Sequence, residues 1–131
     1  MNTSNILVPL SVGELIDKIS ILKIKKKKIT NKNKQKNIIK ELKFLEKIYK
    51  SNIKKNKKLD RCEKQLIKIN KILWEIEDEI RNCESKRDFK EIFIKLARSV
   101  YINNDKRSKI KREINTITGS NLIEEKSYKS Y

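Results

Sequence analysis

The chain contains no histidine, one alanine (Ala97), one proline (Pro9), one tryptophan (Trp74) and two glycines (Gly13 and Gly119). Without histidine there is no Ser-His-Asp or Cys-His catalytic couple, no imidazole general base and no His-ligated zinc, and no metal or cofactor is expected. Two glycines and one proline are too little turn material for a sheet of many short strands. Aromatic residues, at 6%, are also scarce for an all-β protein. The two cysteines, Cys62 and Cys83, are separated by 21 positions. On one helix that is about 31 Å at a rise of about 1.5 Å per residue. A disulfide needs Cα atoms within about 7 Å, so the pair cannot bridge within one subunit. They read as small apolar residues of a reducing compartment.

Long hydrophobic runs are missing too. Nothing approaches the roughly 20 apolar residues that span a bilayer. The stretch Ile6-Leu7-Val8-Pro9-Leu10 lacks the basic flank of a secretory signal. A cytoplasmic location with no membrane span is expected.

Lysine, isoleucine and asparagine are abundant instead, at 28, 22 and 13 of 131 residues. Their codons are poor in G and C, so lysine is written wherever a polar side chain serves. The scarce Gly, Pro, Trp, Ala and Arg positions therefore carry more information. The net charge of +17 is concentrated in residues 23–58, where 16 lysines face only Glu41 and Glu46. Such a run is either a solvated helical face or an arm for nucleic-acid phosphates. No base-reading module accompanies it, which favours the solvated face.

The periodicity is helical throughout. Ser11-Val12-Gly13-Glu14 forms a capping box, with Leu10 and Leu15 at the staple positions and Pro9 holding Val8 extended. The helix it opens turns Leu15, Ile19, Leu22 and Ile29 inward, with Ile16 and Ile24 to one side, and breaks at Thr30–Asn33. A second helix over roughly 35–54 carries Ile38, Leu42, Leu45, Tyr49 and Ile53. In the third, Leu59, Cys62, Leu66, Ile69, Leu73, Ile76, Ile80 and Cys83 alternate steps of three and four, a coiled-coil-like repeat. Asp88-Phe89-Lys90-Glu91 reads as a second capping box, and Asn103-Asn104-Asp105 as a break that starts a fifth helix ended by Gly119.

The expected fold is all-α with about five helices in a single domain spanning residues 1–131. It comprises an extended lead-in (1–10) docked on the bundle, a long antiparallel hairpin (35–83), and C-terminal helices with a docked tail (88–128).

Candidate site residues follow from the second faces of the later helices. Trp74, Glu77 and Asp78 stand beside the main seam of the third helix. Arg98, between Ile94 and Tyr101, needs a carboxylate or an anionic ligand, and planar guanidinium suits carboxylates and phosphates. With Arg107 and Lys111 it could hold a small anion, Lys18 adding a further cation. The alternative is an internal ion pair to Glu77 or Asp78.

Three segments carry a family resemblance: ILVPLSVGELIDKISILKI (6–24), LWEIEDEIRNCE (73–84) and FIKLARSVYINNDKRSKIKREINTITGSNLIEEKSY (93–128). They resemble a family of short bacterial proteins known as domain of unknown function number 6165. The resemblance implies no catalytic residue, cofactor or substrate, and an association with cell-surface polysaccharide assembly. The family-like positions are Gly13, Glu14, Lys18, Trp74, Glu77, Asp78, Arg98, Asn104, Asp105, Arg107, Arg112, Glu113 and Glu125. Glu14 and Asp105 are explained as helix caps, whereas Trp74, Glu77, Arg98 and Arg107 are not.

Three functions fit. The first is a non-catalytic helical adaptor that binds a partner protein or itself through helices two and three. The second is a small helical enzyme or sensor with a cationic pocket for a dicarboxylate or sugar phosphate; LIDKISILKIKKKKI is faintly similar to the opening helix of all-helical chorismate mutases. The third is non-specific nucleic-acid binding through residues 23–58. The residue types lean away from catalysis.

Overall fold

The computed structural model describes residues 5–131, and the first four residues of the expected lead-in lie outside it. The described residues form four helices and no strand: α1 (Val12–Lys28), α2 (Lys32–Asn52), α3 (Lys57–Ser85) and α4 (Glu91–Thr118). Each of the first three starts on a polar cap. The Ser11 hydroxyl accepts from the Glu14 amide at 3.1 Å, Asn31 from Lys34 at 3.1 Å, and Asn56 from Leu59 at 2.8 Å. Lys25 to Lys28 fill the last turn of α1, where cations complement the helix dipole.

The fifth helix does not exist, because α4 runs unbroken through Asn103-Asn104-Asp105. Those side chains are engaged elsewhere than in capping. Asn103 donates to the Ser99 carbonyl one turn back, Asn104 accepts from Arg107, and Asp105 accepts from the Tyr131 hydroxyl. A polar triplet breaks a helix only when its side chains compete for backbone groups at that point. The second capping box fails similarly: Asp88 accepts from the Lys90 amide, and α4 starts at Glu91 without a side-chain cap.

The helix pairing also departs from expectation. α1 is the central element and packs on all three others, α3 pairs with α4, and α2 packs along its length on α1 alone. One core joins Ile16 to Leu59, Cys62, Leu66, Ile110 and Ile114; the other joins Leu15, Ile19 and Leu22 to Ile38 and Leu42. The α3 heptad stripe is therefore covered by α4 and α1, and the α2 stripe by α1. Neither stripe is left for the other, so the expected α2–α3 hairpin seam does not form. Tyr49 and Ile53, at the C-terminal end of α2, still reach the first core. A space of about 260 Å³ opens among α1, α2 and α3, spanned by the Tyr49 hydroxyl donating to Glu63.

Gly119 ends α4 in the left-handed region at φ 65°, as expected of a C-terminal cap. A β-carbon there would meet nothing within 4 Å, so only backbone strain opposes substitution. Gly119→Ala is expected to cost about 1 kcal/mol, read by urea denaturation. The following tail (Asn121–Tyr131) turns back along α4, held by Arg112 to Glu125, Lys111 to Glu124 and Tyr131 to Asp105. It is thus docked by polar contacts, while Leu122 and Ile123 stay exposed. The lead-in from residue 5 forms no helix or strand, and Ile6 and Leu7 remain 81% and 91% exposed rather than buried on the bundle.

Candidate functional site

The most concentrated chemistry lies where α1, α3, α4 and the tail meet. Asp17 is fully buried on the inner side of α1, beside the buried Ser20. An isolated buried carboxylate would be prohibitively unfavourable, so its partners decide whether the fold forms. Asn70 of α3 donates to Asp17 Oδ1 at 2.9 Å and to the Ser20 hydroxyl at 3.1 Å. Arg107 of α4 donates from Nε to Oδ1 at 3.0 Å and from its terminal nitrogen to Oδ2. This two-pronged guanidinium–carboxylate pair is the strongest ion-pair geometry available to a protein.

Lys111, one turn further along α4, donates to Glu14 at 2.7 Å and lies 3.2 Å from Glu124 of the tail and 3.8 Å from Asp17. Three carboxylates thus face two cations. Burial pushes the Lys111 ammonium down, but Glu14, Asp17 and Glu124 together hold it above its ordinary value. The hydrogen bonds that Arg107 donates to Asp17 likewise raise the guanidinium above its ordinary value. Because the folded-state value of Lys111 is the higher one, its contribution to stability is full below about pH 10.4. It is lost as pH rises through the folded value. Lys111→Met is therefore expected to flatten the alkaline limb of the stability curve, measured by urea denaturation across pH 8–11.

The start of α1 is sealed by the end of α4. A helix leaves its first amides without internal partners. Here the Val12 amide donates to the Ser120 hydroxyl at 3.1 Å and the Gly13 amide to Asn115 Oδ1 at 2.7 Å. This approach explains Gly13 better than punctuation does. A β-carbon there would lie 2.5 Å from the Lys111 carbonyl oxygen. Glu14 has a second role as well, since its carboxylate goes to Lys111 rather than back onto the cap.

Of the eight candidate site residues, Arg107 and Lys111 are brought together here, beside the family-like Gly13 and Glu14. The others are not. Trp74 is half-buried on α3, and Glu77 is exposed and pairs with Arg81 one turn along. Asp78, Arg98 and Lys18 are exposed with no ion pair among the described residues. Tyr101 stacks edge-to-face on Tyr131 with ring centroids 5.2 Å apart. The reason is rotational: α3 buries Ile76 and Cys83, which turns Glu77 and Asp78 by roughly 100° and 200° from Ile76. Arg98 shares its outward side of α4 with the exposed Ile94, so no Glu77–Arg98 groove is built.

Asp17 and Glu124 were missed from sequence. The signal for Asp17 was the stripe Gly13, Asp17 and Ser20 at helical spacing, which is too small or polar for a plain core face. Glu124 carried none, because its partner is set by the course of the tail.

A family model matches residues 6–131, nearly the whole chain. The chain belongs to the Family of unknown function (DUF6165). The match spans both the buried Asp17 cluster and the lysine-rich α2, so both are parts of one DUF6165 unit. No curated protein and no solved structure matches the chain. No helix among the described residues is long and apolar enough to cross a membrane.

Proposed function

We propose that the chain is a non-catalytic helical adaptor that docks an acidic partner protein on the outer side of α2. The observation that carries this reading is one-sided packing. α2 packs along its length on α1 alone, and its outer surface presents Lys32, Lys36, Lys40, Lys43, Lys47 and Lys50, all exposed. Steps of four, four, three, four and three place them on one helical stripe. None takes part in an ion pair among the described residues. Beside the stripe stand Phe44 and Ile48, 50% and 44% exposed. With Ile6 and Leu7 they line a groove of about 810 Å³.

Charge selects the class of partner. A second copy docked through α2 would set two lysine stripes side by side, and a nucleic acid would satisfy the lysines but leave the apolar groove open. An amphipathic acidic helix satisfies both surfaces. The non-catalytic part is supported by the chemistry elsewhere. The Cys62 thiol is pushed up by burial and by Glu113, which disfavours the nucleophilic thiolate. The carboxylates of the buried cluster are already paired to cations.

A photo-crosslinking phenylalanine at position 44, introduced in the source cell, tests the reading. The expected product is one acidic protein, lost in the K40E/K43E/K47E variant and weakened by salt. Crosslinks to a second copy, to nucleic acid or to lipid, or no crosslink at all, would overturn it.

A further inference from the structure

A groove of about 610 Å³ runs between α4 and the returning tail, away from α2. Its lining carries six cations against three carboxylates. Two of the carboxylates are already committed to the helix: Glu124 lies 3.2 Å from Lys111, and Glu125 lies 3.0 Å from Arg112. Lys126 of the tail is 4.0 Å from Glu124. The third carboxylate, Asp105, accepts from the Tyr131 hydroxyl at 2.6 Å. That leaves Lys106, Lys109 and Lys129 facing the groove with no carboxylate partner among the described residues.

We propose that this groove is a binding site for a small ligand bearing a diphosphate, held by Lys106, Lys109 and Lys129. Three observations support it independently of the α2 surface. The unmatched charge is about three, which is what a diphosphate ester carries at neutral pH. The tail shows that this face of α4 accepts anions, since two consecutive glutamates already sit on Lys111 and Arg112. Ile102 and the Tyr128 ring add apolar surface to the same groove, against which the organic part of an ester can rest. Lys106, Lys109 and Lys129 belong to two segments that the ion pair between the buried Lys111 and the exposed Glu124 holds together. Ligand binding and tail docking therefore reinforce one another.

Isothermal titration calorimetry of the full chain with ADP and with inorganic pyrophosphate, at about 0.15 M salt, tests the site. One ligand per chain is expected, with equal affinities if the diphosphate suffices and a tighter ADP if its organic part rests on Tyr128. The K106A/K109A/K129A variant is expected to weaken binding about tenfold or more. Lys40→Ser with Lys43→Ser and Lys47→Ser on α2 should leave it unchanged, which separates this site from the adaptor surface. Several weak ligands per chain, binding lost with the α2 lysines, or no heat with either ligand at millimolar concentration would overturn the proposal.

Discussion

Asp17→Ala is expected to lower the free energy of unfolding by about 3–5 kcal/mol, the cost of breaking an ion pair whose carboxylate is buried and whose guanidinium is half-buried. Removing the carboxylate strands the guanidinium of Arg107, takes one acceptor from Asn70, and leaves Lys111 with only Glu14 and Glu124. Arginine cannot shed its proton to escape, so the penalty falls on the fold. Folded proteins are stabilised by only about 5–15 kcal/mol, so the variant should be partly unfolded at moderate temperature. Urea denaturation followed by helical circular dichroism reads the effect directly. Asp17→Leu combined with Arg107→Met should recover a substantial part of the loss, because an apolar pair removes both charges together. A single-variant loss below about 1 kcal/mol would mean that water reaches the pair and that Asp17 does not organise the junction.

Gly13→Ala is the second large effect, and here the structure predicts the opposite sign to helix propensity. Within a helix, alanine is favoured over glycine by about 1 kcal/mol, so a lone α1 would gain stability. In the folded chain the added carbon meets the Lys111 carbonyl oxygen at 2.5 Å and Asn115 Oδ1 at 3.0 Å. The first of these is backbone, which cannot swing aside as a side chain can. α1 must move off α4, stretching the Gly13-to-Asn115 hydrogen bond that seals its first turn. Overpacking and a weakened buried hydrogen bond together are expected to cost about 2–4 kcal/mol. A shifted denaturation midpoint measures it, and stabilisation instead of loss would show that α1 and α4 tolerate a wider spacing.

Both effects arise at a junction only partly legible in the chain. The all-α class, the Ser11 start, the Gly119 stop and the inward faces of α1, α2 and α3 could be read directly, because each depends on residues within a few positions of one another. The unbroken α4 was obscured by Asn103-Asn104-Asp105, whose side chains are claimed by Ser99, Arg107 and Tyr131. Two of those three partners are side chains whose position the local sequence does not set. Arg107 and Lys111 were expected to join Arg98 around a small anion. Their anions, however, are Asp17, Glu14 and Glu124, which lie 90, 97 and 13 positions away in the chain.

The same division governs the functional surfaces. A lysine-rich composition says little by itself, since lysine here fills most solvated positions. The stripe on α2 gained meaning only when α2 proved to pack along α1, with Tyr49 at its C-terminal end reaching Glu63 of α3 and the lysine side left exposed among the described residues. Likewise, the lysines of α4 became a groove only because the tail folds back beside them.

By itself the sequence determined the Ser11 start of α1, the Gly119 stop of α4 and which faces of α1, α2 and α3 turn inward, because capping and periodicity act over a few residues. Which inward faces meet was decided by the tertiary structure. α3 could have met α2 or α4 with comparable apolar stripes, and the choice of α4 rests on contacts between distant positions. Asp17 is satisfied only when Asn70 of α3 and Arg107 of α4 converge on it, and Gly13 permits the close approach that brings α4 there.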